Sequence, residues 1–146
     1  MNQSKINELI GDFPDISMEN STKTSEVDRR YNCIAWAAGD TKRFWWPGPY
    51  SYWPSEVPRE VSPASFVAAY ETLGYQPADD FSFVDGIEKI AIYLLNGKPT
   101  HASRQLDSPR WTSKLGKNID ISHELDALNG PVYGRPEIAM QRSRAT

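Results

Sequence analysis

The stretch EKIAIYLLNGKPTHASRQ, residues 88–105, decides the fold that this sequence predicts. Its first half is rich in the β-branched and aromatic residues that favour strands. Asn96-Gly97 follows, and this dipeptide between two apolar runs is the strongest short signal for a hairpin turn. The residues after it, THASRQ, are expected to form the return strand. The sequence therefore predicts an antiparallel hairpin that carries His101 early in its second strand.

Further strands are expected after the hairpin. DSPR (107–110) is typical of a turn, and WTSKLG (111–116) is predicted to be a third strand. ISHELDAL (121–128) is predicted to be a helix with His123 on its solvated surface, and EIAMQR (137–142) a last strand. The second half of the chain therefore predicts an antiparallel meander.

Helices are expected in the first half of the chain. SPASFVAAYETLG (62–74) has a capping serine, a proline in the first turn and a terminal glycine, which together favour a helix. A short amphipathic helix is predicted near residues 6–10, and SMENSTKTSEVD (17–28) is predicted to be a loop. Helices followed by a meander indicate an α+β domain. We expect an N-terminal extension at 1–28, one domain at 29–142 and a tail at 143–146.

Composition and charge exclude several function classes. The formal net charge is −3 and no basic cluster is present, which disfavours a nucleic-acid partner. No run of about 18 apolar residues occurs, so no membrane partner is expected. One cysteine and two histidines give no familiar metal spacing, and no cofactor is expected. The first residues lack the pattern of a secretory signal, which together with the single cysteine predicts a cytoplasmic protein.

Cys33, the only cysteine, lies in NCIAWAA (32–38). Asn32 is a favoured helix cap and Gly39 a favoured residue after a helix end, so a short, buried helix is predicted to begin at Cys33. A helix start lowers the pKa of a thiol and can stabilise an oxyanion. Cys33 is therefore a candidate nucleophile, although a single free cysteine is by default a small core residue.

A thiol nucleophile needs a base and a group that orients it. His101 is the natural base. An even-numbered turn after its strand would leave Ser113 on the opposite face of the sheet, whereas an odd one would place both on the same face. Pro109 favours a wider turn, so we expect Ser113 to orient the imidazole. Other polar residues nearby are Gln105, Lys114, Asn118 and Asp120.

The segment FWWPGPYSYWP (44–54) holds six aromatic residues but is too rich in proline for a regular element. Its rings must pack on the core or line a groove beside Cys33, and Trp45 or Trp46 together with Trp53 are expected to be buried. The predicted substrate-binding residues are Asn32, Trp45, Trp46, Trp53 and Lys114.

The order of these features resembles the papain-like cysteine hydrolases. A cysteine that opens a buried helix, a hairpin that carries histidine and a strand with a polar residue occur in that order there, and residues 88–105 are similar to the histidine hairpin of the bacterial cell-wall amidopeptidase branch. The chain departs from that branch at Asn32 and Ile34, where an acid and a small residue are usual. Residues 31–140 also resemble an uncharacterised bacterial domain family with the landmarks NCIAWA, KIAIY, THA and WTSKLG.

The resemblance implies a papain-like fold and a catalytic Cys33, His101 and Ser113. The expected function is a thiol hydrolase or acyltransferase that acts on an amide or ester bond of a peptide-like or acyl substrate. The alternative is a non-catalytic papain-like module that binds a peptide or a partner protein through the aromatic segment.

Overall fold

The computed structural model describes residues 1–144, and its main element is an antiparallel sheet of seven strands. In chain order the strands are β1 (Ser21–Ser25), β2 (Gln76–Ala78), β3 (Ile87–Leu95), β4 (Lys98–Gln105), β5 (Trp111–Lys114), β6 (Asp120–His123) and β7 (Arg135–Ser143). Across the sheet they lie in the order β1-β6-β5-β4-β3-β7-β2. The predicted hairpin, β3 and β4, is therefore the centre of the sheet.

The hairpin turn has the backbone that its sequence favours. Asn96 and Gly97 have φ angles of 53° and 79°, and a positive φ at both turn residues matches the right-handed twist of the two strands. Tyr93 lies directly opposite His101, and the pairing shifts by one residue just beyond that point. The hairpin prediction is confirmed.

Three short α-helices each begin after a polar cap. They are α1 (Gln3–Leu9), α2 (Cys33–Ala38) and α3 (Pro63–Glu71), and the side chains of Asn2, Asn32 and Ser62 each accept a hydrogen bond from a backbone amide three residues on. Gly39 ends α2 with a φ of 83°, which costs a glycine little. The predicted starts of α2 and α3 are confirmed, and α1 contains Ile6 and Leu9 of the expected amphipathic helix.

The sheet buries one apolar cluster on each face. Ile90 and Ile92 of β3 point to the face covered by α2, α3 and the aromatic segment. Ala91 and Tyr93, which alternate with them, point to the face covered by α1. Because both faces of the central strands are covered, polar groups on them need protein partners.

The expected papain-like α+β arrangement, with N-terminal helices packed on a meander, is wrong. The seven-stranded sheet holds more residues than the helices, which are short. Segments far apart in the chain join the meander: β1 pairs with β6, and β7 lies between β3 and β2. Residues 1–28 contribute α1 and the edge strand β1, and residues 145–146 of the expected tail lie outside the described part.

Two local predictions are also wrong. Residues 17–28 contain strand β1 rather than only a loop, because β6 offers them a pairing edge. Residues 121–128 form the end of β6 and a 3-10 helix (Leu125–Leu128) rather than an α-helix. His123 therefore lies in a strand and is fully buried, not solvated.

The longest of the described helices, α3, has nine residues. A helix needs about 20 residues to cross a bilayer. Within residues 1–144 no helix is both long and apolar enough to do so.

Candidate functional site

Cys33 is the first residue of α2, and the cap that precedes it also anchors the aromatic segment. The Asn32 side-chain oxygen accepts from the amides of Ala35 (3.1 Å) and Trp45 (3.0 Å). Its side-chain nitrogen donates to the Trp45 carbonyl at 2.8 Å. The polar atoms of Asn32 are therefore engaged within the protein, so in this structure the residue positions Cys33 rather than facing a ligand.

The Cys33 thiol is buried, with 8% of the residue exposed. Burial raises its pKa to about 11, because a thiolate loses hydration there. The backbone amides of Ala102, Ile34 and Cys33 itself oppose this shift, since they favour the negative charge, but they do so less strongly. The thiol thus rests protonated, beside backbone amides from both α2 and β4.

The register of β4 and β5 decides which residue can orient His101. Gln105 lies opposite Trp111, so residues 106–110 form a turn of odd length. Residues that lie directly opposite each other on neighbouring strands point to the same face of the sheet. In this register Ser113 therefore points to the same face as His101. The Ser113 hydroxyl lies 3.0 Å from the Nε2 atom of His101. The predicted contact between the serine and the imidazole is present.

Ser113 is the centre of a buried polar network. Its Oγ atom also lies 2.7 Å from Nε2 of His123 and 2.5 Å from Oγ of Ser103. The Nδ1 atom of His123 lies 2.7 Å from the carbonyl oxygen of Glu124. All four side chains of the network, His101, Ser103, Ser113 and His123, are fully buried.

The network determines the tautomer of His101. A carbonyl can only accept, so Nδ1 of His123 carries a proton, and neutral His123 must accept at Nε2. Ser113 therefore donates its one proton to His123 and accepts from its other two neighbours. It follows that His101 is protonated at Nε2 and holds a free lone pair at Nδ1.

Both histidines are neutral around pH 7. Burial lowers the pKa of His101 well below its usual value, because the charged imidazolium would lose its hydration. Burial also lowers the pKa of His123 to about 4. His123 is therefore neutral over the physiological pH range, and His101 keeps its proton on Nε2 throughout that range.

Two tyrosines enclose the His101 ring. Tyr133 stacks on it with ring centres 4.0 Å apart and planes 9° apart, and Tyr93 meets it edge-on at 5.1 Å. Burial raises the pKa of Tyr133, so its hydroxyl stays protonated. The His101 ring is therefore enclosed by aromatic rings on two sides.

The thiol and the imidazole are not hydrogen bonded in this structure. Nε2 of His101 contacts Ser113, and Nδ1 has no hydrogen-bond partner among residues 1–144. Cys33 and Ala102 belong to the apolar cluster on the face of α2, whereas His101 lies opposite Tyr93 and therefore points to the other face of the sheet. The thiol and the imidazole thus lie on opposite sides of β4.

The predicted aromatic binding residues are mostly part of the core. Trp45 and Trp53 are 3% and 2% exposed, while Trp46 is half-buried with its ring edge-on to Phe66. Indole nitrogens of the two buried rings donate to Asp40 (2.9 Å) and to the carbonyl of Pro58 (3.0 Å). The prediction that these tryptophans are buried is confirmed, and their nitrogens are already satisfied.

Lys114, which was predicted to bind substrate, is 1% exposed and lines a pocket with Tyr31 at the N-terminal end of α2.

His123 and Tyr133 complete the surroundings of His101, and the sequence predicted neither of them there. The period-two alternation of Ile119, Ile121 and His123 was a signal for a strand that buries the histidine.

Within residues 1–144, no group of three or more Cys, His, Asp or Glu side chains could hold a metal ion.

Neither a curated protein nor a solved structure matches the chain. A family model, described as a domain of unknown function, matches residues 22–141. Since this match covers most of the chain, the protein belongs to the domain family DUF7689.

Proposed function

We propose that this protein is a thiol hydrolase or acyltransferase, in which Cys33 attacks the carbonyl of a peptide-like or acyl substrate and His101 is the general base. One observation carries the proposal. Ser113 and His123 hold His101 in the tautomer whose Nδ1 lone pair has no hydrogen-bond partner among the described residues. A base needs such a lone pair in order to accept the thiol proton.

The proposed reaction is acyl transfer through a thioester. The Cys33 sulfur forms a bond to the carbonyl carbon while its proton passes to Nδ1 of His101. That proton then goes to the departing alcohol or amine as the acyl–oxygen or acyl–nitrogen bond breaks. Water or another acceptor cleaves the thioester, gives one proton through His101 back to the sulfur, and releases the acyl product.

The proposed pair works from a neutral resting state. Burial raises the pKa of Cys33 and lowers the pKa of His101, so both groups favour their uncharged forms. Proton transfer then accompanies attack rather than preceding it. The amides of Ala102 and Ile34 would stabilise the negative charge that develops on the substrate oxygen.

Attack requires the sulfur and Nδ1 to approach each other, because the two atoms are not hydrogen bonded at rest. Helix α2, which begins at Cys33, packs directly on β4, the strand that carries His101, but the two side chains point to opposite faces of the sheet, so the proposed approach must pass the edge of β4. A neutral serine hydroxyl stabilises an imidazolium weakly, so slow turnover is part of the proposal. The proposed compartment is the cytoplasm, where a free thiol stays reduced.

The test is acylation by an activated ester such as p-nitrophenyl acetate, followed by intact-protein mass spectrometry. The native protein should gain one acetyl group, and Cys33→Ser should gain none in thioester linkage. His101→Gln should slow acylation by about a hundredfold or more, as expected when a general base is lost.

Ser113→Ala and Ser103→Ala are a matched pair in this experiment. Both remove a buried hydroxyl from the same network, but only Ser113 contacts His101. Ser113→Ala should slow acylation about five- to tenfold, which corresponds to one hydrogen bond, while Ser103→Ala should have a smaller effect. Acylation of Cys33 that is unchanged in His101→Gln would refute the role of His101.

The second candidate is a non-catalytic module that binds a peptide or partner protein through the aromatic segment. The buried, protonated state of Cys33 favours it, as does Tyr50, which is 99% exposed at the tip of that segment. If the folded native protein shows no acylation at all, the binding function is the better explanation.

A further inference from the structure

A pocket of about 280 Å³ lies beside the start of α2. Its walls include the rings of Tyr31 and Phe44, and its lining also includes the positively charged residues Arg29, Lys114 and Lys117. Phe44 is 44% exposed, so part of its ring is available to a ligand. The pocket combines apolar surface with an excess of positive charge.

Lys114 is the unusual member of this pocket, because it is almost fully buried. Its ammonium nitrogen donates to the carbonyl of Asn118 at 3.2 Å and lies 5.3 Å from the centre of the Tyr31 ring. No carboxylate among residues 1–144 lies within salt-bridge distance of it. A buried ammonium is normally paired with an anion, because leaving water costs it several kcal/mol.

The carboxylate in the pocket lining, Asp28, and the carboxylate across the strand pair from Lys114, Asp120, are bound to other groups. Asp28 accepts from Arg30 at 2.6 Å, and this contact is the main reason that its pKa is lowered to about 2. Asp120 lies opposite Lys114 across the β5–β6 pair, but its Oδ2 atom accepts from the hydroxyls of Ser25 (2.6 Å) and Tyr31 (2.7 Å). Its Oδ1 atom has no hydrogen-bond partner among the described residues.

Two exposed cations at the rim reinforce the charge of Lys114. Arg29 and Lys117 make no salt bridge with another described residue. With Asp28, the one carboxylate in the lining, paired to Arg30, the cationic side chains of Arg29, Lys114 and Lys117 are left to act on a ligand. Their position beside two aromatic rings fits an anionic group carried on an apolar or aromatic body.

We propose that this pocket binds the carboxylate or phosphate group of a small ligand, with Lys114 as the buried charge partner and Tyr31 and Phe44 against the ligand body. The binding site stands whether or not Cys33 reacts. Only the identification of this ligand with the acyl substrate rests on the proposed function, and Tyr31, which lines the pocket, is two residues before Cys33.

The test is a chemical-shift titration of the ¹⁵N-labelled protein with benzoate, phenyl phosphate and the neutral benzamide. Benzoate or phenyl phosphate should shift the amides of Gly116 and Lys117 in a saturable way, and benzamide should not. The stronger of the two anions identifies whether the site favours a carboxylate or a phosphate. Equal binding of benzamide, or no saturable shift with either anion, would overturn the proposal.

Substitutions locate the charge that binds the anion. Lys114→Gln should weaken binding by about ten- to a hundredfold, as expected when a charge-assisted hydrogen bond is lost. Lys98→Gln removes the same charge from an exposed position beside the hairpin turn and should leave the affinity unchanged. Unchanged affinity in Lys114→Gln would refute the assignment of Lys114.

If Lys114→Gln does not fold, two exposed positions still test the pocket. Lys117→Gln and Phe44→Ala should each weaken binding by a few-fold, and normal affinity in both would place the anion elsewhere. The titration is repeated on Cys33→Ser. Anion binding that survives in this variant, together with absent acylation in the native protein, would support the pocket and refute the thiol function.

Discussion

Acidification from pH 6 to pH 5 should destabilise this protein through His101 and His123. Burial lowers the pKa of both side chains from the usual 6.5, and the pKa of His123 is lowered to about 4. The unfolded chain therefore binds protons below pH 6.5 that the folded chain excludes. By linkage, the free energy of unfolding is highest above pH 6.5 and falls as the pH falls toward about 4.

The size of the effect follows from the number of excluded protons. Each histidine that is protonated only in the unfolded chain contributes up to about 1.4 kcal/mol per pH unit. Two such histidines, not completely protonated at pH 6 in the unfolded chain, should together remove about 2 kcal/mol between pH 6 and pH 5. Carboxylates contribute little in this window, because most are ionised in both states.

Urea denaturation followed by tryptophan fluorescence at several pH values measures this slope. His101→Gln and His123→Gln should each show about half of the native slope, because each removes one of the two excluded protons. A flat free energy between pH 6 and pH 5 would refute the burial of neutral histidines. So would a native slope that persists in both variants.

Three further changes test the thiol, the packing and the aromatic segment. At pH 7, iodoacetamide should alkylate Cys33 about 100-fold more slowly than an exposed cysteine, since burial raises the pKa of its thiol to about 11; an inflection of the rate near pH 8 would contradict this. Gly134→Ala should destabilise the protein by about 3 kcal/mol or more, because the new methyl group would overlap a carbonyl of β3, whereas Gly97→Ala, with a similar φ but open space, should cost about 1–2 kcal/mol. Equal losses in urea denaturation would show that overlap is not the cause. Trp53→Ala should cost about 3–5 kcal/mol, because its ring is buried, and Tyr50→Ala should stay within about 0.5 kcal/mol; a large loss in Tyr50→Ala would mean that this ring is packed.

The local elements could be predicted from the sequence, because their signals lie within a few residues of each other. Asn96 and Gly97 form the hairpin turn because both residues readily adopt a positive φ. The helices α2 and α3 begin where a polar side chain can accept a hydrogen bond from the amide three residues later. The position of Cys33 at the start of a helix could be predicted for the same reason, because its cap, Asn32, is the preceding residue. Pro109 also favoured the odd-length turn that brings Ser113 to His101, and an even turn was the alternative.

The sheet order could not be predicted in this way. Strand β1 has polar residues typical of a loop, and it is a strand because the edge of β6 offers it backbone partners about 100 residues away. Strand β7 likewise separates β2 from the hairpin. Such pairings depend on which edges of the sheet remain unpaired after the rest of the chain has folded. The residues of a short segment therefore do not indicate which strand it will pair with.

The sequence by itself determined the central hairpin, the helix starts and the pairing of Ser113 with His101 as one of two alternatives. Only the tertiary structure decided that His123 is buried and, through Ser113, sets the tautomer of His101. It also decided that Lys114 is buried without an anionic partner among the described residues. The physical reason is that the charge and proton positions of a buried polar group depend on every neighbour that replaces water, and these neighbours come from strands distant in the sequence.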